Sequence, residues 1–187
     1  EPVGPRVAGP VAPGVLERDG RMQRLNLADI RSASWRREGE RRRAAGDLPG
    51  AVAALKEALQ INPESVDVMR VLADVYLQAR RPDAAVPLFR RALARRPDDL
   101  LVQRGLGAAL LQTGATAEAA ALLRPVVEAR PADTQAWNAL GAALANEGDL
   151  EGAIACFRRA VALDPADVAA RRNLDLARAR LRQGSSP

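Results

Sequence analysis

The chain has no histidine, one cysteine and one lysine among its 187 residues. A lone Cys156 excludes an intrachain disulfide, and without histidine a zinc site has too few ligands to draw on. A nucleophile would also need some base other than imidazole. Cys156 lies one residue before Phe157 and two arginines, with no activating partner in that context, so it reads as a small packing residue. The acidic residues form no pair off the solvent faces, and no Gly-rich loop follows a strand. No catalysis, cofactor or metal is expected of this chain. Aromatic residues are equally scarce: Trp35, Tyr76, Phe89, Trp137 and Phe157. No stretch approaches the roughly 20 consecutive apolar residues that a membrane-spanning helix needs. No stretch of the given residues reads as a signal peptide. A start at Glu1 is the expectation for a fragment or a processed form, which leaves the compartment open between cytoplasmic and exported.

What the chain does have is Ala, Leu, Val and Arg. Hydrophobic residues make up 48% of it, a composition that suits closely packed helices. All but Lys56 of its 28 basic residues are Arg, against 23 acidic ones, for a net charge of +5. The surplus is uneven: residues 134–167 are net acidic and the last twenty net basic. Binding single-stranded nucleic acid calls for aromatic platforms beside the basic groups. All five aromatics are expected to be committed to packing, so nucleic acid is not the expected partner.

The chain repeats itself every 34 residues. Pro63, Pro97, Pro131 and Pro165 share one phase, and Ala51, Ala85, Ala119 and Ala153 a second. Ala58, Ala92, Val126 and Ala160 hold a third, Trp35, Met69, Gln103 and Trp137 a fourth, and Gly46, Arg80, Gly114 and Gly148 mark a turn. The most complete unit has Trp137, Leu140, Gly141, Gly148, Ala153, Phe157, Ala160 and Pro165 in order.

This pattern resembles the tetratricopeptide repeat, and the resemblance covers residues 32–65, 66–99, 100–133 and 134–167. It implies an all-α fold, a right-handed superhelical solenoid of four helix pairs, each an A helix followed by a B helix. Gly107 and Gly141 let helix A approach a neighbour, and Ala153 and Ala160, two turns apart, do the same from helix B. Gly148 supplies a left-handed helix end, and the proline closing each repeat stops helix B. Pro125, inside a B helix, is expected to kink it. A capping helix at 168–183 presents Ala170, Leu174, Ala177 and Leu181 as one apolar stripe. Residues 1–25 are expected to be a flexible Pro-rich segment, with a helix start between Asn26 and Ile30. The repeat domain then spans 26–183, and 184–187 form a frayed tail. In the first repeat Glu38 and Arg42 stand where other repeats are apolar, so its A helix is expected to be half covered.

The resemblance also implies function. In this family the A helices line a concave groove that holds a partner's peptide or helix, through the second, fifth, ninth, twelfth and thirteenth places of each repeat. The fifth place carries Arg36, Arg70, Arg104, Asn138 and, in the capping helix, Arg172. Glu40 and Asp74 lie four residues after Arg36 and Arg70 and are expected to pair with them, whereas Arg104 and Arg172 have no such neighbour. The expected groove residues are Arg70, Leu77, Leu101, Arg104, Leu111, Gln112, Asn138, Asn146, Arg172 and Leu176. In this reading Arg104 and Arg172 take two ligand carboxylates, the asparagines bond its backbone and the leucines form apolar pockets. The alternative is a solvated arginine row with no role.

Chaperone-binding members of the family use Lys at the fifth and Asn at the ninth place of their first repeat. Arg36 and Glu40 stand there instead, which argues against that ligand. The expected function is a scaffold or adaptor that binds a protein partner in the groove, in assembly of a larger bacterial complex. Two rivals differ in class. One is a substrate-recruiting module of a larger enzyme such as a glycosyltransferase; the other is binding of phosphate or nucleic acid by the basic C-terminal helix. Pairing of exposed ends into a homo-oligomer is a further expectation left open.

Overall fold

The structure, a computed structural model, describes residues 15–18, 21–24 and 27–184. The proline-rich residues 1–14 and the tail 185–187, both read above as irregular, lie outside the described residues. Among the described residues nine helices follow one another: α1 (Leu27–Ala44), α2 (Leu48–Ile61), α3 (Val66–Gln78), α4 (Pro82–Arg95), α5 (Leu100–Thr113), α6 (Thr116–Ala129), α7 (Thr134–Glu147), α8 (Leu150–Leu163) and α9 (Val168–Gly184). Before them, β1 (Val15–Arg18) and β2 (Arg21–Arg24) pair antiparallel, with Val15 opposite Arg24 and Arg18 opposite Arg21. This hairpin falls in the stretch expected to be irregular. The residues between its strands are Asp19 and Gly20, a dipeptide characteristic of two-residue hairpin loops, and proline content alone hid that signal.

Consecutive helices touch throughout the stack. Each odd-numbered helix also packs closely along its backbone against the next odd-numbered one, whereas among the described residues the even-numbered helices stay further apart, α4 and α6 meeting through the long side chains of Arg90 and Glu118. The odd helices therefore crowd the inner side of a curved stack and the even helices splay along the outside. Backbone conformation sets each reversal. Gly46, Gly114 and Gly148 have φ of 81°, 85° and 91°, and Arg80 holds the same turn at φ 57° without glycine's freedom.

One row of large side chains fills the gap between the helices of each pair. Leu55, Phe89 and Leu123 are fully buried and Phe157 nearly so. Opposite three of them stands a glycine. A Cβ on Gly39, Gly107 or Gly141 would come within 2.5, 2.7 and 2.7 Å of Leu55, Leu123 and Phe157 respectively. In the second pair the matching place is Ala73, and Phe89 instead lies against Gly105 of the next pair, where a Cβ would be 2.4 Å from its ring. Gly105 thus answers a bulky ring in the repeat before it.

The two ends differ. The last helix, α9, buries Ala170, Leu174 and Ala177 and continues as helix through Gly184. At the other end α1 buries only Ser32 and Gly39. Its first two turns are tied to the end of α2 and to the residue that caps it, with the Ser32 hydroxyl donating to Ala58 O at 2.9 Å and Asn62 Nδ2 donating to Asp29 Oδ1 at 2.7 Å. Glu38 takes Arg41 and Arg42 at 2.8 and 2.7 Å. Those hydrogen bonds, Arg41's first, hold its carboxyl down at about 2. Trp35 corrects one expectation, since it is 40% exposed rather than packed. No helix precedes α1 among the described residues to cover that place. The other expected packing aromatics lie inside, and Trp137 is half-buried with its indole N–H donating to Pro131 O at 3.0 Å. Gln103 makes the equivalent bond one repeat earlier, donating to Pro97 O at 2.7 Å. Helix α6 runs on through Pro125, and α4 through Pro87. Among the described residues no helix is long and apolar enough to cross a membrane.

Candidate functional site: the concave face of the A helices

A hollow on the inner side lies between α1, α3, α5 and α7 and has a volume of about 450 Å³. Leu77, Leu101, Gly105, Ala108 and Ala139 provide its apolar lining, and Gln78 and Gln135 stand at its edge. Gly105 borders this hollow, and the place its side chain would take is filled by the Phe89 ring. Three guanidinium groups enter it: Arg43 from α1, Arg70 from α3 and Arg104 from α5.

Two carboxylates meet those three cations. Asp74 Oδ2 lies 3.3 Å from Arg70 Nη1 and 3.9 Å from Arg43 Nη1. Burial raises the Asp74 carboxyl above its ordinary value, against the pull of Arg70, Arg43 and Arg104. Asp133 is held differently. It caps α7 by accepting from the Ala136 N–H at 2.9 Å, and its other oxygen takes Arg104 Nη1 at 2.8 Å. Its side chain is only 10% exposed. Three cations against two anions leave the hollow with a surplus of one positive charge.

The sequence-predicted site residues divide between places. Arg70, Leu77, Leu101 and Arg104 line the hollow together. Leu111 is half-buried against the core and Gln112 exposed, and neither lines it. Asn138 accepts from Asn173 Nδ2 at 3.0 Å, so its side-chain oxygen has a partner within the chain. Asn146 and Leu176 border a smaller depression between α7 and α9, while Arg172 flanks Leu176 on the outer part of α9. The Arg36–Glu40 and Arg70–Asp74 pairs form at 2.7 and 3.3 Å.

Arg104 requires a correction. It was expected to be free for a ligand because its own helix offers no acid at the right spacing, yet Asp133 holds it from the last place of the same repeat, at the cap of α7. The two residues are 29 apart, the distance from the fifth place of one repeat to the N-cap of the next A helix. That offset was the available signal. Arg43, Asp74, Gln78, Ala108 and Gln135 were passed over, although all five stand at groove places of the repeat; Gly105 and Ala139, at the sixth place, do not.

Cys156 is buried, and burial pushes its thiol up, away from the reactive thiolate. Among the described residues no group of three or more His, Cys, Asp or Glu is placed to hold a metal ion.

Stacked helix pairs with a 34-residue period and an inner face built from alternate helices match what known families show. Models described as tetratricopeptide repeat match residues 36–99, 77–144 and 134–167. The chain belongs to the tetratricopeptide repeat family. Among solved structures it is similar to a MamA from Desulfovibrio magneticus RS-1 (residues 41 to the end), with 26% identity over 80% of this chain and 85% of that one, at a TM-score of 0.71. A MamA AMB-1 structure shares 30% identity over 82% of this chain and 84% of that one, at a TM-score of 0.65. No curated protein matches. Tetratricopeptide repeats form a superhelical, all-α interaction fold, and this chain's general role is protein–protein interaction.

Proposed function

We propose that the chain is a non-catalytic adaptor that holds an extended segment of a partner protein in the hollow between α1, α3, α5 and α7. The observation that carries this reading is the hollow itself. An apolar floor of Leu77, Leu101, Gly105 and Ala108 is rimmed by three arginines and two glutamines, which suits an apolar side chain flanked by an acidic one. The sequence placed the acidic contacts at Arg104 and Arg172. With Arg104 engaged by Asp133, the better site for a ligand carboxylate is at Arg43 and Arg70, toward the start of the stack.

Affinity capture from the native cells tests this with three forms of the chain: unaltered, Ala108→Trp and Ala94→Trp. The first substitution fills the hollow, and the second places the same bulk on an exposed position of α4. Partners held by the unaltered chain should be lost with Ala108→Trp and kept with Ala94→Trp. Equal capture by all three forms would remove the groove as the binding surface.

A further inference from the structure

We infer that Asp74 is an internal competitor for the groove, occupying in the empty chain the position that a partner's carboxylate takes when bound. This deepens the groove reading and rests on it.

The geometry of the two ion pairs carries the inference. Arg104 and Asp133 meet at 2.8 Å, within the range of a charge-assisted hydrogen bond, and the second Asp133 oxygen is fixed by the Ala136 N–H. That pair is structural. Asp74 is held loosely by comparison. One oxygen serves both arginines, at 3.3 and 3.9 Å, and its other oxygen has no protein donor among the described residues. Each guanidinium carries five N–H donors, so Arg43 and Arg70 keep most of theirs available beside the hollow. The two arginines come from different helices, α1 and α3, and one carboxylate cannot satisfy both bidentately. Burial also disfavours the charged form of Asp74, which lowers the cost of displacing it.

A carboxylate entering beside Leu77 and Ala108 would take one arginine in a two-point contact and leave Asp74 with the other. The recognised class is therefore an acidic side chain next to an apolar residue. Asp74 weakens binding of every such ligand by repelling it and by holding its arginines. The present arrangement selects ligands whose apolar contacts make up that loss.

The test uses the full chain and three fluorescein-labelled seven-residue peptides of Ser and Leu, with Asp, Asn or Lys at the centre, read by anisotropy at low salt. The unaltered chain should prefer the Asp peptide. Asp74→Asn should tighten that peptide by roughly tenfold, the scale expected on removing a like charge a few ångströms away in a half-buried site. It should leave the Asn peptide unchanged. Asp74→Ala must give the same gain, since both substitutions remove the charge, and thermal melts confirm that both fold. Arg70→Gln should erase the preference for Asp over Asn. Weaker or unchanged Asp-peptide binding in the Asp74 variants overturns the inference. If Asp and Asn peptides bind alike while Ala108→Trp abolishes both, the competitor falls and the groove stands. If no peptide binds, or Ala108→Trp changes nothing, both fall.

Discussion

Between α1 and α5 the inner face is deep and charged, with Arg43, Arg70 and Arg104 set against Asp74 and Asp133. Between α7 and α9 it is shallower, and its central contact is a neutral bond from Asn173 to Asn138. Both halves are built on the same 34-residue period, and the same fifth place supplies Arg70, Arg104, Asn138 and Arg172. What differs is the neighbour. Arg70 finds an acid in its own helix, Arg104 one at the next helix cap, Asn138 an amide on α9, and Arg172 has no ion-pair partner among the described residues. The period sets the backbone; residues that do not repeat set the site.

Substitutions can break that contrast. The largest effect is expected in the floor of the deep half. Gly105→Ala gains helix propensity, but its Cβ would lie 2.4 Å from the fully buried Phe89 ring. The ring must move, and overpacking of this kind costs about 1–3 kcal/mol. Ala139→Gly, at the same place one repeat later, should cost about 1 kcal/mol from propensity alone. Chemical denaturation of both variants would measure this. A stable Gly105→Ala protein would mean that the deep half is not shaped by Phe89.

The fastenings of the two halves should differ by less. Arg104→Ala removes a charged partner from the largely buried Asp133 and should cost about 1–3 kcal/mol, because hydrogen bonds to charged groups are the stronger ones. Asn138→Ala removes one neutral bond to the half-buried Asn173, worth about 0.5–1.5 kcal/mol. An equal or larger loss from Asn138→Ala, in the same denaturation series, would reverse the assignment of the Arg104–Asp133 pair as the firmer fastening.

The helix pairs, their tight turns and the capping stripe were legible because each depends on residues recurring at a fixed spacing. The site was legible only in part. Arg104's partner escaped a rule confined to one helix, since Asp133 lies beyond α5 and α6, at the cap of α7. Gly105 escaped because no other repeat has glycine at that place; its cause is Ala73, which stands where other repeats offer glycine to the large B-helix side chain. Trp35 shares a phase with the half-buried Trp137, but no helix precedes α1 among the described residues to cover it, whereas α6 precedes α7.

Amide hydrogen exchange of the chain, alone and with its captured partner, tests the central claim most directly. Binding in the hollow should slow exchange along the parts of α1, α3 and α5 around Arg43, Asp74, Leu77 and Ala108, and leave the outer helices α2, α4, α6 and α8 unchanged. Protection confined to those outer helices, or to the far face of α9, would contradict it.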